Sequence, residues 1–128
     1  MTGQLSVALM SASLVLIVED DVLVRQNAVF LLEEAGFDTL EAARADEAIA
    51  LLEARQDIRI VFTDINMPGS MDGLALAQAV RRRWPPVELV LTSGYARVRD
   101  DDIPERGLFL GKPYKPTELV RMVRSLVS

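Results

Sequence analysis

Polar residues with catalytic potential follow four separate apolar stretches of this sequence. Neither cysteine nor histidine occurs anywhere, which excludes disulfides, zinc–thiolate sites, nucleophilic cysteine and every histidine-based mechanism. Clustered carboxylates repel one another unless a cation neutralises them, and a cation held only by oxygen is a hard one such as Mg²⁺. The polar set therefore predicts a Mg²⁺ site. Its members are Glu19-Asp20-Asp21, Asp64, Thr92-Ser93 and Lys112.

The same residues suit phosphoryl transfer. A carboxylate such as Asp64 can act as a nucleophile and form an aspartyl phosphate. The transfer needs positive charge against the moving oxygens, which Mg²⁺ and Lys112 could supply, and Ser93 or Thr92 could donate a hydrogen bond there. Each residue also has a structural interpretation, because acids cap helices and turns, hydroxyls satisfy turns and lysines face solvent. Their joint occurrence at strand ends favours chemistry.

The composition describes one ordinary globular domain. The 128 residues are half apolar and 26% charged, enough for a hydrophobic core. The net charge of −5 argues against nucleic-acid binding. Residues 5–18 are almost all apolar or small, but no basic residue precedes them and they are too short to span a membrane as a helix. We therefore expect a cytoplasmic protein, with residues 1–13 forming a tail of uncertain order.

Apolar runs bounded by turn residues predict five β-strands, and helical spacing predicts the segments between most of them. Asp21 is placed to cap the first helix, and Asp72-Gly73 opens the third. The alternation predicts an α/β fold with a doubly wound parallel sheet, whose carboxyl strand ends share one edge. The second strand is the most polar and is expected at the side of the sheet. The predicted strands cover residues 14–18, 37–42, 58–64, 87–91 and 108–110.

One segment does not fit this alternation. Residues 96–106 are charged, contain Pro104 and have few apolar residues. A regular amphipathic helix is not expected from such a sequence. We predict a loop or a single poorly anchored turn in place of the fourth helix.

The combined motifs resemble the receiver domain of response regulators in two-component signalling. The resemblance covers roughly residues 14–127, and we take residues 14–128 as the domain. It implies a flavodoxin-like sheet with strand order 2-1-3-4-5. The motifs that carry it are Val18-Glu19-Asp20-Asp21, Asp64-Ile65-Asn66-Met67-Pro68, Met71-Asp72-Gly73, Thr92-Ser93-Gly94 and Lys112-Pro113-Tyr114.

The resemblance assigns roles to the residues of the predicted site. It makes Asp64 the phosphoacceptor and Asp20 a direct Mg²⁺ ligand, with Glu19 binding the ion through water. It makes the backbone carbonyl of Asn66 a ligand of the same metal and implies that Lys112 contacts the phosphoryl oxygens.

Two further positions would report phosphorylation. Ser93 is preferred as the switch hydroxyl, because the small Gly94 follows it, and Thr92 is the alternative. Phe109 stands at the family's aromatic switch position. The Lys112-Pro113 bond is a candidate cis peptide.

The sequence departs from the family pattern in two places. The turn after Met67-Pro68 has one residue more than the commonest spacing, a change that loops tolerate. The irregular segment 96–106 puts in doubt the signalling face that receivers commonly build from the fourth helix, the fifth strand and the last helix.

The resemblance implies a stand-alone module that accepts a phosphoryl group from a histidine kinase or a histidine phosphotransfer protein. Its output is expected to act through an unknown protein target, unless the domain derives from a larger hybrid kinase. It would catalyse only its own phosphorylation and dephosphorylation. No nucleic acid or membrane is expected as a partner.

Three alternative functions fit the sequence less well. A phosphatase with an aspartate nucleophile would want an acid at position 66, where the sequence has Asn66. A flavodoxin-like cofactor binder needs a phosphate-cradling loop after the first strand, where Glu19, Asp20 and Asp21 would repel phosphate. A receiver that serves only as a docking module is disfavoured because every chemical position is filled.

Overall fold

The computed structural model describes residues 13–69, 71–94 and 99–127. All five strands pair in parallel in the order β2-β1-β3-β4-β5, as the resemblance implied. The predicted tail, apart from Ser13, and residues 96–98 of the irregular segment lie outside the described residues. The strands are β1 (Leu14–Val18), β2 (Asp38–Ala42), β3 (Ile58–Asp64), β4 (Glu88–Ser93) and β5 (Leu108–Gly111).

Among the described residues, four α-helices cover the two faces of the sheet. The bounds are α1 (Val22–Glu34), α2 (Ala45–Ala54), α3 (Gly73–Arg83) and α4 (Pro116–Ser125). One core cluster joins the sheet to α2 and α3, and a second joins it to α1 and α4. Beyond an irregularity at the start of β3, strand residues alternate between the clusters, because successive side chains of a strand point to opposite faces. Within the described residues, no helix is both long and apolar enough to cross a membrane.

Aspartate side chains cap the N-termini of two of these helices, α1 and α3. Asp21 accepts hydrogen bonds from the backbone N–H groups of Leu23 and Val24, at 2.9 and 3.1 Å. Asp72 accepts one from the N–H of Ala75 at 2.8 Å. These bonds satisfy donors that a helix N-terminus otherwise leaves open. The predicted cap at Asp21 is therefore confirmed.

The strand boundaries differ from the prediction in one place that matters for the site. The fourth strand continues to Ser93, whereas the sequence pattern ended it at Leu91. Thr92 and Ser93 pair with Leu110 and Gly111 of β5, so ladder pairing extends the strand through the two hydroxyl residues. Both side chains are consequently held by the sheet and not by a turn.

The connection between β4 and β5 contains no α-helix within its described part, residues 99–107. A single 3-10 turn spans Asp100–Asp102. Arg106 has a φ of 64°, in the left-handed region that few non-glycine residues adopt. The prediction of an irregular fourth helix is confirmed for these residues.

Arg81, at the end of α3, anchors this connection. Its Nε–H donates to the carbonyl oxygen of Glu105 at 2.9 Å. Its Nη1 donates to the carbonyl oxygens of Pro85 and Val87, each at 2.9 Å. One guanidinium thus ties the C-terminal part of the connection to the turn between α3 and β4. Planar arginine suits this task because its donors form a fixed fork.

The N-terminus of α3 lies against the backbone of the last β3 residue. The N–H of Gly73 donates to the carbonyl oxygen of Ile65 at 2.9 Å. A Cβ atom at position 73 would stand 2.0 Å from the carbonyl oxygen of Asp64. Glycine is therefore required here by space, and the helix start and the strand end are in direct contact.

Arg81→Lys is expected to loosen the β4–β5 connection. Lysine offers a point charge and cannot reproduce the three directed bonds, so the free energy of unfolding should fall by about 1–2 kcal/mol. Hydrogen exchange should accelerate in residues 99–107. The exposed neighbour Arg82 provides the control: if Arg82→Lys has the same effect, Arg81 is not the anchor.

Gly73→Ala is expected to destabilise the fold by about 3 kcal/mol, because the new methyl group must displace the backbone of β3. Chemical denaturation would measure the loss. Gly111→Ala is the matched control, since its Cβ would find its nearest neighbour at 3.7 Å, an ordinary contact. Equal stability of the two variants would contradict the close approach at position 73.

Candidate functional site

Three carboxylates meet at the carboxyl edge of the sheet. Asp64 is the last residue of β3, and Glu19 and Asp20 follow β1. Each offers an oxygen atom within 4.8 Å of the others. Glu19 and Asp64 are buried, with 4% and 5% of their surface exposed, whereas Asp20 is open to solvent. The predicted acidic residues are thus brought together.

Lys112 joins the cluster from the end of β5. Its Nζ lies 2.7 Å from Glu19 Oε1 and 3.3 Å from Asp64 Oδ2. One ammonium group therefore bridges the acids that follow β1 and end β3. The Lys112-Pro113 peptide bond, immediately beyond, is cis, as expected from the resemblance.

The electrostatics of the cluster follow from burial and from this bridge. Burial raises the pKa of Glu19, and the charge of Asp64 adds to the effect, although the hydrogen bond from Lys112 opposes it. Burial alone would lower the pKa of Lys112, but the hydrogen bond to Glu19 and the charge of Asp64 outweigh it and the pKa is raised. The lysine thus stays charged, while the cluster keeps an excess of acid.

The Asp64 carboxylate is held on both oxygens. Oδ1 accepts a hydrogen bond from the backbone N–H of Asn66 at 3.2 Å, and Oδ2 lies against Lys112. The hydroxyl of Thr63 donates to the carbonyl oxygen of Asp64 at 2.9 Å. The side chain and backbone of Asp64 are therefore both oriented by neighbours.

The two candidate hydroxyls lie on opposite faces of the sheet. Ser93 Oγ donates to the side-chain oxygen of Asn66 at 2.6 Å. Ser93 follows the alternation of Leu91, which belongs to the α2–α3 core, whereas Thr92 shares the α1–α4 face with Val90. Ser93 thus contacts the segment that follows Asp64, whereas Thr92 pairs with Asp64 itself in the β3–β4 ladder.

Phe109 is not part of the acidic cluster. It pairs with Leu91 in the β4–β5 ladder, is half-buried and packs against the α2–α3 core. Asp64 shares the opposite face with Phe62. Any response of Phe109 to events at Asp64 must therefore be carried through the strands or through the neighbouring segment.

Two contributors were missed from the sequence. Arg25 donates from Nη1 to the carbonyl oxygen of Glu19 at 2.7 Å and from Nε to Glu41 at 2.9 Å, which fixes the backbone at the acidic loop. It is the one basic residue of α1, and a single basic residue so close to the acidic loop could have indicated this contact from the sequence. The side chain of Asn66 is the second, since the resemblance implies a role only for its backbone carbonyl.

The donor set fits a hard cation. Three carboxylates supply oxygen ligands close together, and an excess of buried negative charge favours a divalent ion over an empty cluster. Residues Glu19, Asp20 and Asp64 are the ones that could hold it. Magnesium suits such an open arrangement, since it is commonly bound by a few carboxylates and retains several waters.

The sequence is similar to those of known proteins. Residues 15–124 match the family model of the response regulator receiver domain. The sensor kinase CckA of Brucella abortus is 32% identical over 123 residues, which cover 93% of this chain and 13% of the kinase. A 14.6 kDa uncharacterized protein of Leptolyngbya boryana is 35% identical over 115 residues, 86% of each chain.

A solved structure agrees in fold. The response regulator receiver protein from Sinorhizobium medicae superposes with a TM-score of 0.85 at 25% identity, covering 92% of this chain and 96% of that one. Three curated relatives are longer, and this chain spans 13%, 24% and 48% of their lengths. The match over most of the sequence, the strand order and the acidic pocket lead to one conclusion: the chain belongs to the response regulator receiver domains of two-component signalling.

Proposed function

We propose that this protein accepts a phosphoryl group on Asp64 in the presence of Mg²⁺ and thereby changes a protein-binding surface. The observation that carries the proposal is the cluster of Glu19, Asp20 and Asp64 with Lys112 bridging two of its members. Acids alone would repel a phosphoryl donor. A fixed lysine, together with room for a divalent ion, makes the pocket receptive to one.

In this proposal an oxygen of Asp64 attacks the phosphorus of a phosphohistidine. The new O–P bond forms as the P–N bond breaks, and the electron pair of that bond goes to the imidazole nitrogen. Lys112 binds a phosphoryl oxygen and offsets charge that develops during transfer. Asp20, Asp64 and the Asn66 carbonyl would hold Mg²⁺, with Glu19 acting through water, and the ion would supply further positive charge against the phosphoryl oxygens.

Phosphorylation adds about −1.5 to −2 charges to a pocket that is already acidic. Lys112 now divides its contacts between Glu19 and Asp64, so a phosphoryl group competes directly for it. We assign the switch hydroxyl to Ser93, whose present bond to Asn66 links it to the residues following the nucleophile. Phe109 is the proposed second element of the switch.

The proposed donor is a histidine kinase or a histidine phosphotransfer protein, and the output target is another protein. We place the receiver unit at residues 14–128 and the protein in the cytoplasm. A stand-alone module is supported by the Leptolyngbya relative, of which this chain spans 86%. Catalysis is limited to the protein's own phosphorylation and dephosphorylation.

The proposal predicts one covalent phosphoryl group at Asp64. Incubation with Mg²⁺ and acetyl phosphate should add the mass of one phosphoryl group to the intact protein. Asp64→Asn should abolish the addition, because an amide is not a nucleophile here. Asp57→Asn, at the residue just before the opposite end of the same strand, should leave it unchanged. A wild-type protein that gains no mass from acetyl phosphate or phosphoramidate would sink the proposal and leave the docking-only alternative.

Mg²⁺ binding is expected to raise the thermal midpoint of unfolding. Stabilisation should reach about 2.7 kcal/mol at a concentration one hundred times the dissociation constant. Asp20→Asn should remove most of this shift, and the exposed position means that the substitution itself costs little stability. Asp21→Asn is the control, since asparagine also caps helices well. A shift retained in Asp20→Asn would argue against Asp20 as a ligand.

A further inference from the structure

A small cavity adjoins the acidic cluster on the α1–α4 side of the sheet. The space that the centre of a water molecule can occupy in it is ≈ 10 Å³, which is close to the minimum that one water needs. Its lining is apolar along α1 and β3 and polar at the cluster. The polar residues that line it are Glu19, Asp64, Thr92 and Tyr114.

Thr92 brings an unexplained hydroxyl to this cavity. Its side chain is buried, with 3% of the residue exposed, and Oγ1 has no hydrogen-bond partner within the described part of the chain. A buried hydroxyl without a partner is costly. Valine would fill the same β-branched shape in a strand without that cost. The hydroxyl therefore needs a partner that the protein's own described groups do not supply.

The ladder sets Thr92 next to the phosphoacceptor. Thr92 is paired with Asp64 across β3 and β4, and both side chains belong to the same face of the sheet. The carbonyl oxygen of Thr92 accepts the N–H of Ile65 at 2.9 Å, which fixes this register. Asp64 retains hydrogen-bonding capacity, because each carboxylate oxygen has two lone pairs and one described contact.

We propose that Thr92 is a positioning residue for Asp64, acting through one water molecule held in this cavity. The Thr92 hydroxyl donates to the water, and the water donates to the Asp64 carboxylate. This inference rests on the proposed phosphoacceptor role of Asp64. The bridge limits rotation of the carboxylate about its Cβ–Cγ bond, so that the attacking oxygen keeps one orientation toward the phosphoryl donor.

The test compares two variants of similar size. Thr92→Val removes the hydroxyl and keeps the branched shape, whereas Thr92→Ser keeps the hydroxyl. Initial rates of phosphorylation by acetyl phosphate with Mg²⁺ would be measured by intact mass. Thr92→Val should be slowed about fivefold, the effect of one ordinary hydrogen bond, and Thr92→Ser should remain within about twofold of wild type.

A high-resolution crystal structure of the wild-type protein provides an independent readout. It should show one ordered water within hydrogen-bond distance of Thr92 Oγ1 and of the Asp64 carboxylate, and Thr92→Val should lack it. A dry cavity, an unchanged rate in Thr92→Val, or equal slowing in both variants would overturn the inference. If wild-type protein accepts no phosphoryl group, the proposed function fails, and the crystal structure still decides whether the water bridge exists.

Discussion

The contact of Lys112 with two buried carboxylates is the interaction on which the site depends. Glu19 follows β1, Asp64 ends β3 and Lys112 follows β5, so a single ammonium group connects three strands at one edge of the sheet. Without it, two carboxylates would be buried side by side with their charges uncompensated, an arrangement that a fold tolerates poorly. The lysine thus stabilises the fold independently of any chemistry at the site.

The sequence was sufficient to predict the strands and their alternation with helices, because local residue patterns determine these elements. Continuous apolar runs such as Leu14–Val18 distinguish strands covered on both faces, and Asp21 marks where the first helix begins. The acidic cluster followed from the same reasoning, since parallel strands bring their carboxyl ends to one edge. Strand order was supplied only by the family resemblance, because pairing depends on contacts between distant residues.

Other features were beyond local patterns. The extension of β4 through Thr92 and Ser93 depends on their pairing with β5. This pairing cannot be predicted from the two residues themselves. The division of the two hydroxyls between opposite faces depends in turn on that extension. Arg81 binds three backbone carbonyls because the fold brings Pro85, Val87 and Glu105 within its reach, and its position in a run of arginines gives no sign of this role.

The contact at Gly73 has a mechanical consequence. Helix α3 begins against the backbone of Asp64, and Arg81 in its last turn binds the chain that leads into β5. An eleven-residue helix is a stiff rod about 16 Å long. Because position 73 has no side chain, a shift of the Asp64 peptide would press directly on the start of the helix. Helix α3 is thus a rigid link between the carboxyl edge of the sheet, where the acids lie, and the β4–β5 connection. It lies on the face of the sheet opposite the carboxylates.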